Sequence, residues 1–169
     1  AGRRQGGMSL TYATLATLIK YPYPSYNKNG RKKYNIFYSE IETFKKVMEG
    51  CGIKCLDESS LIYARHPLSY IMEAADDICY LILDMEDAQK RGIVQTQQAD
   101  IFFSSFFKED EKWFHDRKDS VYETVTDDNE RMAFLRATVI NKLVDCVSNV
   151  FVENYNAIME GDFEKSLVY

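Results

Sequence analysis

The sequence predicts an all-α fold, with little or no strand, in a single domain spanning residues 1–169. Three observations support this prediction. The chain is long enough, and at 46% apolar residues hydrophobic enough, to bury a core. Its apolar residues recur mainly at helical spacing, while alternating strand patterns are weak throughout. Proline and glycine divide it into segments of helical length.

The first helix is expected from Ser9, as its N-cap, to about Lys20. The segment Tyr21-Pro-Tyr-Pro24 ends it, because proline cannot continue a helix and favours extended geometry before it. Residues 27–34 are basic and contain Asn-Gly, which is typical of an exposed loop. Residues 39–42 have the form of a capping box, and the helix they begin should end at Gly50 and Gly52.

In the second half, Pro67 suits the first turn of a long apolar helix that Gly92 closes. Before it, residues 61–65 form at most a short extended piece. Residues 95–107 are expected to be helical, and residues 108–119 are charged enough to predict a solvated turn. A capping sequence at 127–130 then begins a helix of about thirty residues that reaches Gly161.

Composition excludes several classes of protein. A net charge of −5 gives no general reason to expect binding to nucleic acid, although a local basic patch remains compatible with it. No apolar run is long enough for a membrane span. The first residues lack the apolar core of a signal peptide and an initiator Met, so we expect a piece of a longer chain. The four cysteines lack zinc spacing and favour buried, reduced thiols in a cytoplasmic protein.

The most informative segment is 73–87, where acidic residues interrupt an otherwise apolar stretch. On a helix, six polar residues share an arc of roughly 100°: Glu73, Asp76, Asp77, Tyr80, Asp84 and Asp87. A helix that is apolar on its other sides is usually buried. Carboxylates on such a helix need a cation, a ligand or water, so this arc indicates one wall of a cation or phosphate site. The alternative is a surface helix with a solvated acidic stripe.

Steps of four residues separate the acidic positions. From Asp76 they reach Tyr80 and Asp84, whereas from Asp77 they reach only apolar residues. Asp76 and Asp84 would lie roughly 12 Å apart, comparable to the distance from the phosphates of a nucleotide to its sugar. This row could therefore hold a metal at one end and a sugar hydroxyl at the other. The Lys20-Tyr21-Pro22 and Lys32-Lys33-Tyr34 segments could supply cations for phosphate, or could simply be solvated.

Histidine is scarce in this chain. His115-Asp116 resembles a metal-binding dipeptide, but its charged surroundings favour a solvated turn. His66, directly before Pro67, is more typical of a helix start or a packing residue. The sequence contains no recognisable nucleophilic triad and no glycine-rich phosphate loop.

Several segments resemble the bacterial deoxyguanosine triphosphate triphosphohydrolases of the HD superfamily. The strongest resemblance lies in residues 65–80 (RHPLSYIMEAADDICY) and 83–88 (LDMEDA). Further matches occur in the same order along the chain, at residues 10–16, 20–22, 32–34, 37–40, 135–144 and 158–163. The resemblance implies part of a helical HD-domain-like bundle. It also implies hydrolysis of a deoxynucleoside triphosphate, most specifically dGTP, to a deoxynucleoside and tripolyphosphate.

Roles for individual residues follow from this resemblance. In that family two histidines and two aspartates hold a divalent metal, commonly Mn²⁺ or Mg²⁺, and Asp76 matches the last of these ligands. Tyr80 matches a tyrosine whose ring disfavours a ribose 2′-hydroxyl, and Asp84 matches the acceptor of the sugar 3′-hydroxyl. Positions that contact phosphate in the family match Lys20, Tyr21 and Lys33, with Lys33 preferred over Lys32 by its spacing to Ser39-Glu40.

The chain departs from the family in one respect: the family's first histidine, its His-Asp pair and the helix with its catalytic histidine are absent. We therefore expect no catalytic residue in this chain and interpret it as the middle portion of a longer enzyme. Family members form homo-oligomers, often hexamers, and the same is expected of the parent protein, with nucleic acid at most a regulator. The alternatives are another HD-superfamily nucleotide phosphohydrolase and a non-catalytic helical interaction or regulatory module.

Overall fold

The computed structural model describes residues 9–27 and 32–168 and confirms the prediction of a mostly helical fold. Four residues of the basic loop, 28–31, lie outside the described residues. The helices are α1 (Tyr12–Thr17), α2 (Ile41–Gly50), α3 (Pro67–Lys90), α4 (Thr96–Ser104), α5 (Lys112–Thr124), α6 (Asp128–Glu153) and α7 (Tyr155–Glu160). Two short antiparallel strands, β1 (Cys55–Asp57) and β2 (Ile62–Tyr63), form a small sheet. Among the described residues, no helix is both long and apolar enough to span a membrane.

The chain divides into two compact units. The first contains the described residues up to Ala74 and those from Val150 onward, and the second contains Ala75–Asn149. The core of the first unit combines residues of α1, α2, β2 and the loop before α2: Ala16, Ile36, Phe44, Val47, Met48 and Tyr63. The core of the second unit is built from α3, α4, α5, α6 and the connection between α4 and α5: Ile78, Ile82, Ala99, Phe103, Phe107, Phe114, Met132, Leu135 and Val139.

Local sequence determines the ends of the two longest helices. α3 begins at Pro67, as predicted, and the His66 Nδ1 atom accepts a hydrogen bond from the backbone N–H of Leu68. Gly92, at φ +69°, follows its last turn. α6 is capped by Asp127, whose carboxylate accepts from the N–H groups of the second and third residues after it, at 2.9 and 3.0 Å. The predicted helix starts near residues 67 and 127 are therefore confirmed.

Four predictions about helices need correction. The first helix begins at Tyr12, with Thr11 instead of Ser9 as its N-cap, and ends at Thr17, short of Lys20. Residues 112–124 form α5 instead of a solvated turn, because Phe114 is fully buried and stacks on Phe107 at 3.7 Å. The helix predicted to reach Gly161 is interrupted at Asn154, which separates α6 from α7. Before α2, a 3₁₀ turn at Tyr38–Glu40 replaces the predicted capping box, and Glu40 accepts a hydrogen bond from the N–H of Phe37.

The cysteines are free thiols, but the prediction that they are buried is wrong for all four. Cys51 and Cys55 are half-buried, whereas Cys79 and Cys146 are exposed.

Gly161 ends α7 in the left-handed conformation, at φ +78°. A Cβ atom at this position would lie 2.6 Å from the Cβ of Ala64, so a side chain would clash as well as strain the backbone. The turn after α7 therefore packs closely against the residue that follows β2.

Candidate functional site

The structure brings together three residues that the sequence assigned to phosphate binding. The Nζ atoms of Lys20 and Lys33 lie 5.8 and 5.7 Å from the centre of the Tyr21 ring. These distances place both ammonium groups within reach of a cation–π interaction with the same ring. We call Lys20, Tyr21 and Lys33 the lysine–tyrosine cluster. It concentrates two positive charges in a protein that is negative overall.

Hydrogen bonds to three separate segments fix the backbone of this cluster. The hydroxyl of Ser69, on α3, donates to the carbonyl of Ile19 at 3.2 Å. The N–H of Tyr21 donates to the side-chain carbonyl of Asn35 at 2.6 Å. The N–H of Tyr63, on β2, donates to the carbonyl of Pro22 at 3.1 Å. The segment between α1 and the basic loop is therefore held in place, although its only regular secondary structure among the described residues is a 3₁₀ turn at Ser25–Asn27.

Glu73, one turn beyond Ser69 on α3, anchors the side chain of Lys20. One carboxylate oxygen lies 2.6 Å from the Lys20 ammonium, and the other lies 2.6 Å from Nη2 of Arg65. The guanidinium of Arg65 also lies over the Tyr70 ring, at 4.0 Å from its centre. The side chains of Glu73 and Arg65 are only 10% and 15% exposed, whereas that of Lys20 is 31% exposed. Lys20 is thus the member of this group that solvent, or a ligand, reaches most easily.

The electrostatics of this group favour an ionised Glu73. Burial acts to raise the pKa of its carboxyl group, but hydrogen bonds and positive charge from Lys20 and Arg65 outweigh burial. The net result is a pKa below the ordinary value for glutamate. Two cations and one carboxylate leave this group with one net positive charge, the sign required to attract phosphate.

The three residues predicted to serve the metal and the sugar lie on α3 in the second unit. Asp76, Tyr80 and Asp84 occupy successive turns of this uninterrupted helix and are all exposed, Tyr80 by 65%. Among the described residues, their side chains form no ion pair or hydrogen bond. The row derived from steps of four residues therefore exists as one accessible strip.

The prediction that α3 is buried on its apolar sides is only partly confirmed within the described residues, since Ala74, Ile78 and Ile82 are buried but other apolar positions are not. Ile71, Leu81 and Leu83 are 42%, 46% and 45% exposed. The acidic residues accordingly face solvent, as the surface-helix alternative predicted. Glu73 is the exception: it was placed in the same arc but is only 9% exposed. The face of α3 that bears the acidic arc is therefore buried at Glu73, near the start of the helix, and exposed from Asp76 onward.

Among the described residues, no group of three or more His, Cys, Asp or Glu side chains is arranged to hold a metal ion. Asp76 alone offers a single carboxylate, whereas protein metal sites use several ligands. The residues that the structure describes therefore do not form a metal site by themselves.

Neither histidine lies in the lysine–tyrosine cluster or in the row on α3. His66 caps α3, which agrees with its predicted role at a helix start, and burial lowers the pKa of its ring. His115 lies within α5, packs against Phe114 at 5.2 Å and has its Nε2 atom 3.2 Å from the Lys108 carbonyl. The contacts of His115 are therefore structural ones, and the segment that carries it is a helix instead of the predicted turn.

Three residues of the first unit were missed as contributors to this region: Asn35, Arg65 and Glu73. For Arg65 and Glu73, the spacing in the sequence could have indicated a contact. Arg65, Ser69 and Glu73 follow one another at steps of four, and Arg65 contacts both others. No local pattern pointed to Asn35, because its contact with Tyr21 crosses the basic loop.

The sequence is similar to several curated proteins, although no protein-family model matches it. It is 34% identical to a deoxyguanosinetriphosphate triphosphohydrolase-like protein of Synechocystis, over 98% of this chain and 37% of that protein. A protein of the same name from Pseudomonas aeruginosa is 31% identical over 96% of this chain and 36% of its own length. The deoxyguanosinetriphosphate triphosphohydrolase of Salmonella typhimurium is 27% identical over 95% and 34%.

The chain thus spans little more than a third of the length of these relatives. The matched spans cover 96% and 98% of this chain, so they include the segments that bear the lysine–tyrosine cluster and the row on α3. The resemblance inferred from the motifs is therefore confirmed: along almost its whole length, this chain is homologous to proteins named deoxyguanosinetriphosphate triphosphohydrolase or triphosphohydrolase-like.

Proposed function

We propose that this chain forms the triphosphate-binding and deoxyribose-binding part of a metal-dependent deoxynucleoside triphosphate triphosphohydrolase, with dGTP as the preferred substrate. The lysine–tyrosine cluster is the observation that carries this proposal. Two lysines share one tyrosine ring, the backbone around Lys20 and Tyr21 is held by three hydrogen bonds, and relatives of the chain carry this activity in their names. Such a preorganised pair of cations suits a polyanionic ligand.

In the proposed reaction, water attacks the α-phosphorus of the substrate. The bond between this phosphorus and the 5′-oxygen of the sugar breaks, and the leaving oxygen takes up a proton. One molecule of deoxynucleoside and one of tripolyphosphate result. Lys20 and Lys33 offset the negative charge of the triphosphate, and the Tyr21 ring keeps the two ammonium groups near each other.

For the row on α3 we propose contacts with the sugar and with a metal ion. Asp84 accepts a hydrogen bond from the 3′-hydroxyl, and the exposed ring of Tyr80 occupies the space that a ribose 2′-hydroxyl would need. Asp76 contributes one ligand to a Mn²⁺ or Mg²⁺ ion whose other ligands lie outside this chain. A divalent ion of this kind supplies Lewis-acid activation of phosphate and water. We further propose that the full-length enzyme is a cytoplasmic homo-oligomer.

The test uses the full-length protein, purified with Mn²⁺ and incubated with dGTP. We expect deoxyguanosine and tripolyphosphate in a one-to-one ratio, measured by chromatography and ³¹P NMR. A panel of deoxy- and ribonucleotides then distinguishes this activity from other nucleotide phosphohydrolases. Release of orthophosphate or pyrophosphate would reject the proposed reaction. Absence of any hydrolysis would favour a non-catalytic helical module.

A further inference from the structure

We infer that Glu73 is a positioning residue for triphosphate binding, which acts by fixing the ammonium group of Lys20. This inference deepens the proposed function and rests on it for the identity of the ligand. The side chains of Glu73 and Lys20 differ in their exposure to solvent. Glu73 lies almost fully inside the first unit, while the lysine it contacts remains partly open to solvent.

The first step of the argument is geometric. Each oxygen of the Glu73 carboxylate contacts a different cation, Lys20 on one side and Arg65 on the other, and both contacts are 2.6 Å. The carboxylate therefore cannot turn toward one cation without losing the other. This arrangement restricts Lys20 more strongly than a single surface ion pair would.

The second step concerns the support of Glu73 itself. Arg65 is held by the ring of Tyr70 and by the carbonyl oxygen of Ser69, at 3.2 Å from Nη2. The hydroxyl of Tyr70 donates in turn to the carbonyl of Phe163. These contacts form a continuous series from Phe163 through Tyr70, Arg65 and Glu73 to Lys20. Lys20 therefore extends from a rigid base, although its own backbone lies outside any helix.

The third step is energetic. A lysine side chain loses considerable rotamer freedom when a ligand immobilises it. Glu73 and Arg65 impose most of this loss when the protein folds, so that less remains to be lost when triphosphate binds. The positive charge of Arg65 also balances the negative charge of the Glu73 carboxylate. The group formed by Lys20, Arg65 and Glu73 therefore keeps a net positive charge. Glu73 can thus orient Lys20 without cancelling its attraction for phosphate.

The alternative role for Glu73 is competition, in which the carboxylate occupies Lys20 and must be displaced by phosphate. The two roles predict opposite results for Glu73→Gln, which keeps the shape of the side chain and removes its charge. Positioning predicts weaker binding of inorganic tripolyphosphate, whereas competition predicts tighter binding. Calorimetric titration of the full-length protein at physiological ionic strength distinguishes them.

The decisive experiment is a double-mutant cycle in the full-length protein. We expect Glu73→Gln to lower kcat/KM for dGTP about tenfold in the wild-type background and less than about twofold when Lys20 is already Met. Tripolyphosphate affinity, measured on the same four proteins, should show the same non-additivity. Thermal unfolding of each variant establishes that the protein remains folded.

Glu86→Gln is the matched control, because Glu86 is a second buried glutamate of α3 held between a lysine and an arginine. Its effects should be additive with those of Lys20→Met. Additive effects of Glu73→Gln and Lys20→Met would overturn the inference, as would tighter tripolyphosphate binding or equal non-additivity for Glu86. Non-additive tripolyphosphate binding in a protein that hydrolyses no nucleotide would support the role of Glu73 and reject the proposed function.

Discussion

The carboxylates of α3 fall into two groups that differ in their surroundings. Glu73 and Glu86 are 9% and 3% exposed, and each contacts two cations. Asp76 and Asp84 lie between them in the sequence and are exposed, without an ion pair among the described residues. The same helix thus satisfies two acidic groups within the chain and leaves others accessible. The first group is paired with cations of the chain itself, and the second is the group accessible to a ligand.

Glu86 illustrates the stabilising group. Nη1 of Arg136, on α6, lies 2.7 Å from both carboxylate oxygens of Glu86, and Lys90 lies 2.9 Å from one of them. Burial acts to raise the pKa of Glu86, but hydrogen bonds from Arg136 and Lys90 outweigh it, and the net pKa lies below the ordinary value. These contacts join α3 to α6 within the second unit. They require no ligand.

The largest expected effect separates Asp76 from its neighbour Asp77. In the full-length enzyme, Asp76→Ala should reduce metal-dependent turnover at least about 100-fold, because it removes a proposed metal ligand. Asp77→Ala, an equally exposed control one residue along, should change turnover less than about twofold. Steady-state kinetics at saturating Mn²⁺ measures both, with circular dichroism to verify the helix content. Similar losses in the two variants would remove Asp76 from the site.

The next effect tests the buried group by stability. Glu86→Ala should lower the free energy of unfolding by about 2–3 kcal/mol, because it leaves Arg136 without its carboxylate partner and opens a buried space. Urea denaturation followed by circular dichroism provides the measurement. Glu123→Ala, which removes an exposed carboxylate from α5, should change it by no more than about 0.5 kcal/mol. A loss for Glu86→Ala within that margin would show that the pair contributes no net stability.

Tyr80 tests whether the exposed row contacts the sugar. Tyr80→Ala should reduce the preference for dGTP over GTP about tenfold, since the ring no longer fills the space beside the 2′-carbon. Tyr80→Phe keeps the ring and should retain most of the preference. The measurement is kcat/KM for both nucleotides in the full-length enzyme. Unchanged discrimination in Tyr80→Ala would refute the proposed role of the ring.

The smallest effect concerns the acid dependence of stability. Glu73 and Glu86 have pKa values below 4.5, the ordinary value taken for the unfolded chain. As the pH falls toward these values, the unfolded state therefore binds more protons than the folded state. The stability they contribute is present above pH 4.5 and is lost as pH falls through their folded pKa values. Glu73→Gln and Glu86→Gln should therefore each flatten the fall of Tm between about pH 6 and 3.

Glu153→Gln, at an exposed position of α6, is the control for this acid series and should leave the slope unchanged. A slope that is equally steep in all three variants would mean that other carboxylates cause the loss of stability in acid.

The parts of the fold that sequence reasoning predicted depend on local chemistry. Pro67 and Asp127 mark helix starts because a fixed φ angle or a capping carboxylate acts within one turn. The helix α5 was missed because charged residues dominate its sequence, and its placement depends mainly on one buried ring, Phe114. The interruption at Asn154 was missed because neither proline nor glycine marks it.

The candidate site shows the same limit. The row on α3 followed from helical periodicity, which is a local property. The pairing of Glu73 with Lys20 joins residues that are far apart in sequence, so periodicity placed Glu73 in the exposed acidic arc although it is buried. The distance of Lys33 from the Tyr21 ring likewise depends on how the basic loop returns, and the resemblance between sequences predicted this grouping better than any physical pattern.

The close packing of Gly161 against Ala64 has a consequence for the region around Lys20. Ala64 directly precedes Arg65, so any side chain at position 161 would push on the peptide from which that guanidinium extends. A substitution in the turn after α7 would thereby reorient a charged group that lies far earlier in the chain. Variation at this single glycine is therefore expected to disturb the backbone beside Arg65.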